Sequence, residues 1–466
     1  MRLPRIDHSV LLLLIAVGIA YLGSLGASFQ FDDWNVIVRD TRVHSLAAWW
    51  HSLPGIRAGL KLSYAINYAS GAGPAGFRVL NIAIHAANAV LVFVLLRSRS
   101  KSCASPAPAV TGAPSAPAAL IAALVFALAP VQTEAVTYIS GRSSSLCALF
   151  CLLALLSWQE AGRRPLLHVL GVACYAMALT VKETAIVLPA IFLLWQYTRS
   201  PEPWRPHERR ALLAYAIVAC AALAAAALSS TYNHLFLTSL QTRSITDNLA
   251  LQARAWGFLL LELFRLSALT ADPTPRDLPG DAAIGTIVWL LFWLALAAVA
   301  WIRRRRNPEL TFAILWFYVW LLPTNSLLPR LDVANDRQLY LALIGPAWLL
   351  ALGIVRLAQS LPRVALAVVI TLAALLGSAT ATRNHIYSTE VTFWQAALDR
   401  SAGNARAANN LGIAYALECN AGQADESFRR AIASDPEDFR PKINLRLLRE
   451  NRLTRRDATG CKLIAE

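Results

Sequence analysis

The chain has 466 residues, of which 56% are apolar and only 15% charged, against about 25% charged in an ordinary soluble domain. A water-soluble fold of this length cannot hide so much apolar surface. The composition also excludes intrinsic disorder, and with it a nucleic-acid-binding module despite the net charge of +15.

A hydrocarbon core about 30 Å thick takes about 20 apolar residues per helix. Eleven segments are predicted to span: 10–27, 77–96, 117–130, 142–158, 166–181, 184–197, 211–229, 282–302, 310–325, 339–358 and 363–382. The first could be a signal peptide with Arg2 and Arg5 ahead of it. Its long apolar run and the poor cleavage site Ala27-Ser28-Phe29 read instead as a retained helix. The segment 101–117, rich in Pro, Ala and Ser, reads as a flexible cytoplasmic linker. With the N-terminus in the cytoplasm, the inner loops collect 17 positive and 5 acidic residues, and the outer loops 13 and 12. That asymmetry is the one that sets membrane orientation. A further apolar stretch, 251–270, carries Arg254, Glu262 and Arg265. A full span there would move Arg303–Arg306 outside, so it is predicted to lie along, or dip into, the outer face.

From about residue 383 the sequence changes to soluble character, which divides the chain into a membrane domain, 1–382, and an outer, periplasmic tail, 383–466. Segment 405–438 fits one tetratricopeptide repeat, with Leu411-Gly412, Tyr415, Ala424, Phe428, Ala431 and Pro436 at the expected offsets. Helices around Thr392–Arg400 and Pro441–Arg449 are predicted to flank it. Of the seven cysteines, Cys147, Cys151, Cys174 and Cys220 lie within spans and read as small apolar residues, and Cys103 is cytoplasmic. Cys419 and Cys461 share the tail and could pair in an oxidising compartment. No Cys/His cluster suggests a metal.

The ionisable residues at helix ends fall on the outer side: Asp32 and Asp33 after the first span, Glu134 and Arg142 around the third and fourth, Lys182 and Glu183 between the fifth and sixth, and Asp332, Asp336 and Arg337 between the ninth and tenth. Charge at membrane depth is expensive, so acids and bases converging from several loops point to a polar cleft. Asp32-Asp33 is either a solvated turn or a pair holding a base. Lys182, Arg142 and Arg337 are either structural or hold a phosphate, Lys182 as a point charge and the arginines as bidentate donors. Glu183 either closes a turn by a salt bridge or orients the phosphate. Asn81, His85 and Asn88 share one helix face and read as polar glue between helices or as part of the site. The chain lacks GxxxxGK[ST], GxSxG and HExxH, which takes support from ATP-driven transport and hydrolase chemistry.

Several segments resemble, in order, motifs of the GT-C superfamily of polytopic glycosyltransferases, and within it the transmembrane and tetratricopeptide-repeat-containing O-mannosyltransferases. They are Phe31-Asp32-Asp33-Trp34, then Pro74 through Leu80-Asn81 to His85-Ala86-Ala87-Asn88. Phe126-Ala127-Leu128-Ala129-Pro130-Val131-Gln132-Thr133-Glu134 with Ile139-Ser140-Gly141-Arg142 follows, then Lys182-Glu183-Thr184, and Leu322-Pro323 through Asp336-Arg337-Gln338-Leu339-Tyr340. The family pattern favours His-Pro where Ala129-Pro130 stands, and several repeats where this chain has one. The resemblance implies an all-α polytopic helical membrane protein of about eleven transmembrane helices with a short helical tail. It implies transfer of a sugar from a polyprenyl-phosphate carrier to a protein, glycan or lipid acceptor at the outer face of the membrane, and the short loops and single repeat point to a bacterial inner membrane. In that chemistry Asp32 or Asp33, with Asp33 preferred, is the general base. Lys182, Arg142 and Arg337 bind the donor phosphate, and Glu134, Glu183, Asp336, His85 and Tyr340 support them. No cofactor beyond the lipid-linked donor is expected, and no metal, though a divalent ion would be compatible. The tail is expected to guide an acceptor or bind a protein. The competing expectations are a lipid-linked-sugar transporter or flippase and an assembly factor docking partners through the tail.

Overall fold

The computed structural model describes residues 7–102, 116–160, 165–199, 204, 206–266, 272–330, 332–457 and 460–463. The predicted linker core with Cys103, and Arg2, Arg5, Arg163, Arg164, Glu202 and Arg205, lie outside the described residues.

Among the described residues the chain is all-α but for one terminal hairpin. Helix α1 (His8–Tyr21) is followed by short surface helices α2 (Leu46–His51) and α3 (Ala58–Ala69), then α4 (Gly73–Ser102) and α5 (Ala116–Leu128). A single turn, α6 (Thr133–Val136), leads into α7 (Arg142–Glu160), α8 (Pro165–Val181), α9 (Leu188–Arg199) and α10 (Pro206–Leu228). Next come α11 (Ser230–Thr242), α12 (Ile245–Glu262), α13 (Ile284–Arg303) and α14 (Pro308–Leu321). The turn α15 (Leu339–Ala342) precedes α16 (Ile344–Ser360) and α17 (Pro362–Asn384). The tail holds α18 (Glu390–Arg400), α19 (Ala405–Leu417), α20 (Ala421–Ser434), α21 (Phe439–Arg449) and strands β1 (Thr454–Asp457) and β2 (Gly460–Leu463).

Each of the eleven predicted segments is helical over most of its length. Among the described residues five helices are long and apolar enough to cross a membrane alone, two bent pairs (α5 with α6, α15 with α16) raise that to seven, and α1, α8 and α14 are shorter apolar helices. The helices differ in what covers them. The window in Ile139–Gln159 is 78% buried by protein, whereas those in Glu208–Leu228, Ile284–Arg303 and Pro362–Tyr387 are 17% buried. An apolar helix left that bare needs lipid around it. The chain is a multi-pass membrane protein.

Helix α4 packs between α5 and α7, and α1 lies against α4, α5 and α17. One buried ion pair joins α4 to α14: the Arg99 Nε lies 2.7 Å from Glu309 Oε2, with its guanidinium over the Phe312 ring. The stretch read as 251–270 is helical from Ile245 to Glu262, and its charges are met by protein. Arg254 donates to the carbonyls of Leu278 at 3.1 Å and Pro279 at 3.3 Å, and Arg265 lies 2.5 Å from Glu262 Oε1.

In the tail, α19 and α20 form an antiparallel hairpin across 405–434. Gly412 permits their close approach, since a Cβ there would lie 2.5 Å from the Phe428 ring. Antiparallel β1 and β2, with Thr454 opposite Leu463, depart from the helix-only reading of the tail. Cys461 on β2 is disulfide-bonded to Cys419 at the end of α19. The tail shares a core with the membrane region: Tyr138 and Phe31 pack with Tyr387, Phe393, Trp394 and Leu411.

Candidate active site

After α1 the chain turns at Phe31, whose φ of 43° lies in the left-handed region that a residue with a Cβ seldom adopts. The turn sends two adjacent carboxylates apart. Asp33 points inward and is fully buried, its Oδ1 accepting from the Ser140 N–H at 2.8 Å and its Oδ2 from the Gln30 N–H at 3.1 Å. Burial raises this carboxyl to about 7, against those donors and the Arg78 guanidinium. Asp32 faces the other way, into a solvent-open cleft of about 410 Å³. Burial raises its carboxyl as well, opposed by Arg337 and the Tyr138 hydroxyl. Sequence reading preferred Asp33. The geometry brings Asp32 to the cleft instead, because backbone donors occupy both oxygens of Asp33.

The cleft walls come from distant parts of the chain. Ser140-Gly141 packs so tightly under α6 that a Cβ on Gly141 would lie 1.9 Å from the Glu134 carbonyl oxygen. This fixes Glu134 where its Oε2 accepts from the Arg337 N–H at 3.0 Å, and its Oε1 lies 3.5 Å from Arg337 Nε. Arg337 also lies 3.6 Å from Asp332 Oδ2. The tail closes the far side with Phe393, Trp394 and Arg406. Arg406 bridges Asp332, at 3.0 Å, and Asp272, whose Oδ2 is 2.9 Å from Arg406 Nε.

Beside Arg337 lies a group of cations. Lys182 is buried, and its ammonium donates to Ser144 Oγ at 2.7 Å. Burial, then Arg337, Arg57 and Arg330, lower it to about 7. Among the described residues Arg330 makes no hydrogen bond or ion pair. Lys182 has extended backbone (φ −155°, ψ 135°), which directs it and Glu183 to opposite sides. Glu183 is gripped by Arg57 at 2.8 Å and by the Tyr232 hydroxyl at 3.0 Å, and despite burial Arg57 pulls it down to about 2. The turn-closing salt bridge expected of Glu183 therefore exists, with Arg57 and not Lys182 as partner. Lys182, Arg57, Arg330 and Arg337 thus lie within electrostatic reach of one another, with Glu183 offsetting Arg57 and Glu134 and Asp332 offsetting Arg337.

Other expected site residues lie elsewhere. Arg142 is fully buried behind the cleft, its N–H groups held by Asn81 Oδ1 at 2.6 Å, the Ser63 carbonyl at 3.1 Å and the Phe77 carbonyl at 2.9 Å. With its donors committed to neutral acceptors it holds three segments together and does not line the cleft. Asp336 is buried against Arg383 at 2.5 Å, and Arg383 also donates to the Pro130 carbonyl at 3.0 Å. The pair ties α17 to the turn before α15. His85 Nε2 contacts the Ala127 carbonyl at 3.0 Å, so that nitrogen carries the proton, and Nδ1 accepts from the Tyr340 hydroxyl at 2.8 Å. Asn88 donates to the same hydroxyl at 2.9 Å. His85 and Tyr340 thus join helices rather than line the cleft. Sequence reading missed Arg57, Arg330, Asp272, Glu390 and Arg406. No motif marks them, and their partners lie as far as 359 residues away, as with Glu390 and Phe31. Among the described residues no three His, Cys, Asp or Glu side chains are placed to hold a metal ion.

No family model matches the chain. It is 24% identical over 523 aligned positions to protein O-mannosyl-transferase TMTC3 of Mus musculus, an alignment covering 98% of this chain and 54% of that protein. It is 33% identical over 165 residues to protein O-mannosyl-transferase TMTC4 of Homo sapiens, covering 31% of this chain and 22% of that protein. Among solved structures it is similar to an oligosaccharyltransferase of Archaeoglobus fulgidus, with a TM-score of 0.41 and 11% identity over 86% of this chain and 59% of that one. The chain therefore spans about half, or less, of the length of these relatives. Matched along nearly its whole length, it is a sequence relative of the protein O-mannosyl-transferases.

Proposed function

We propose that the chain is an integral-membrane glycosyltransferase. It moves a sugar from a polyprenyl-phosphate donor to an acceptor hydroxyl on a protein or an envelope glycan or lipid. The observation that carries this reading is the juxtaposition of Asp32 and Arg337 in one cleft, with the buried Lys182 behind it within electrostatic reach of Arg337. An acyl or phosphoryl transferase would share the cations. The relatives' names favour sugar transfer.

In this mechanism Asp32 accepts the acceptor's hydroxyl proton as the oxygen attacks the anomeric carbon. The bond from that carbon to the phosphate oxygen breaks, and the polyprenyl phosphate leaves as an anion. Burial raises the basicity of Asp32 above that of an exposed carboxylate, which suits a general base. Lys182, Arg57, Arg330 and Arg337 oppose the charge growing on the phosphate. Glu134 and Asp332 fix the Arg337 fork.

On this reading the N-terminus is cytoplasmic and the cleft and tail face the periplasmic side of a bacterial inner membrane, which the excess of Lys and Arg in the inner loops favours as an orientation. The tail, with its single helical repeat, contributes the acceptor side of the cleft. The test is transfer in proteoliposomes from polyprenyl-phosphate-mannose to a Ser/Thr peptide. Asp32→Asn is expected to lower it by at least about 100-fold at unchanged expression, and full activity of that variant would overturn the reading.

A further inference from the structure

The left-handed conformation at Phe31 does not sustain itself. Residues with a Cβ hold it only where surroundings over-determine it. Here the surroundings are the tail. The Phe31 N–H donates to Glu390 Oε1 at 2.7 Å, and Trp34 Nε1 donates to the same oxygen at 2.9 Å. One carboxylate oxygen on α18 thus pins both flanks of Asp32-Asp33. The Phe31 ring meets Trp394 edge-on at 5.0 Å, and the Ser28 N–H donates to the Ser388 carbonyl at 3.2 Å. Among the described residues Glu390 pairs with no cation. Its role is to accept two N–H bonds at one point, which depends on where the oxygen lies more than on its charge.

We propose that Glu390 is a positioning residue for the Asp32 carboxylate, so that the first tail helix is a working part of the transfer site and not only a platform for partners. Released from Glu390, Phe31 relaxes toward right-handed backbone, and Asp32 swings away from the acceptor. This inference rests on the transferase reading, and the test separates the two.

The full chain is assayed in proteoliposomes with polyprenyl-phosphate-mannose and a Ser/Thr peptide, and melting temperature is measured on the same preparations. Glu390→Gln keeps an acceptor oxygen in place without the charge. Glu390→Asp keeps the charge but withdraws the oxygen by one methylene. We expect E390Q to retain kcat within about threefold, and E390D to lose about 100-fold, the scale of a 1 Å misplacement. KM for the donor should move less than twofold in both, because Glu390 contacts none of the cations assigned to the donor phosphate. A reversed order, an equal loss in both variants, or wild-type kcat in E390D overturns the inference while leaving the transferase reading standing. A wild-type chain without transfer activity overturns that reading, and the inference with it.

Discussion

Substituting Lys182 by arginine and by methionine separates its charge from its packing. The ammonium is buried, touches Ser144 Oγ, and faces Arg337, Arg57 and Arg330, which stay charged across the working range, and the Cys147 thiol. Burial and those guanidiniums bring its midpoint to about 7. The charged fraction then falls from about 90% at pH 6 to about 10% at pH 8. Because the charged form is the one that grips a phosphate, KM for the polyprenyl-phosphate donor should rise through pH 7, about tenfold between pH 6 and pH 8. Arginine stays protonated, so Lys182→Arg should flatten that rise. Lys182→Met should hold KM near the high-pH value throughout. The separate low-pH limb, in kcat, belongs to Asp32 and should survive in both variants. The assay is initial rate against donor concentration in proteoliposomes from pH 5.5 to 9. A wild-type KM that is flat over this range, or a methionine variant matching wild type at pH 6, would refute the reasoning.

Asp32→Asn should lower kcat by about 10²- to 10⁴-fold, the span of a lost general base. Asp33→Asn should act through stability, since its Nδ2 would face one of the two N–H donors that hold Asp33. Comparing melting temperature with kcat distinguishes the two. Wild-type stability should also fall as pH rises from about 4 to about 7, because folded Asp33 keeps its proton up to about 7 while the unfolded chain loses it near 3.8. Asp33→Asn should remove that slope in a thermal-shift titration. Gly141→Ala forces a Cβ against the Glu134 carbonyl, and overpacking of this kind costs about 1–3 kcal/mol. A melting temperature equal to wild type would show that α6 can move. Cys419→Ser opens a disulfide spanning 42 residues, worth about 4 kcal/mol by loop entropy. Limited proteolysis should then cut the terminal hairpin first, leaving the membrane region intact.

Much of the architecture is written locally. Each apolar helix carries its lipid-facing residues in its own sequence, so α10, α13 and α17 could be found without reference to their neighbours. Charges such as Glu134, Lys182 and Arg337 stood out because each interrupts an apolar surrounding, and the structure does bring Lys182 and Arg337 to one place. The same signal misled for Arg142 and Asp336. A buried charge held by Asn81 and Phe77, or by Arg383, looks in sequence like one reserved for a ligand.

What the chain order alone determined is which segments form apolar helices, that acids and bases gather at their ends, and that polar helices follow them. Only the tertiary structure decided between Asp32 and Asp33, which are neighbours with the same chemistry. Their difference is the left-handed turn at Phe31, held by Glu390 from 359 residues away. Likewise Arg57 reaches Glu183 across 126 residues and leaves Lys182 without a carboxylate partner. Apolar preference is a property of each residue and survives in one dimension. The direction of a carboxylate is set by whichever donors the fold delivers to it, and those exist only after the chain has folded.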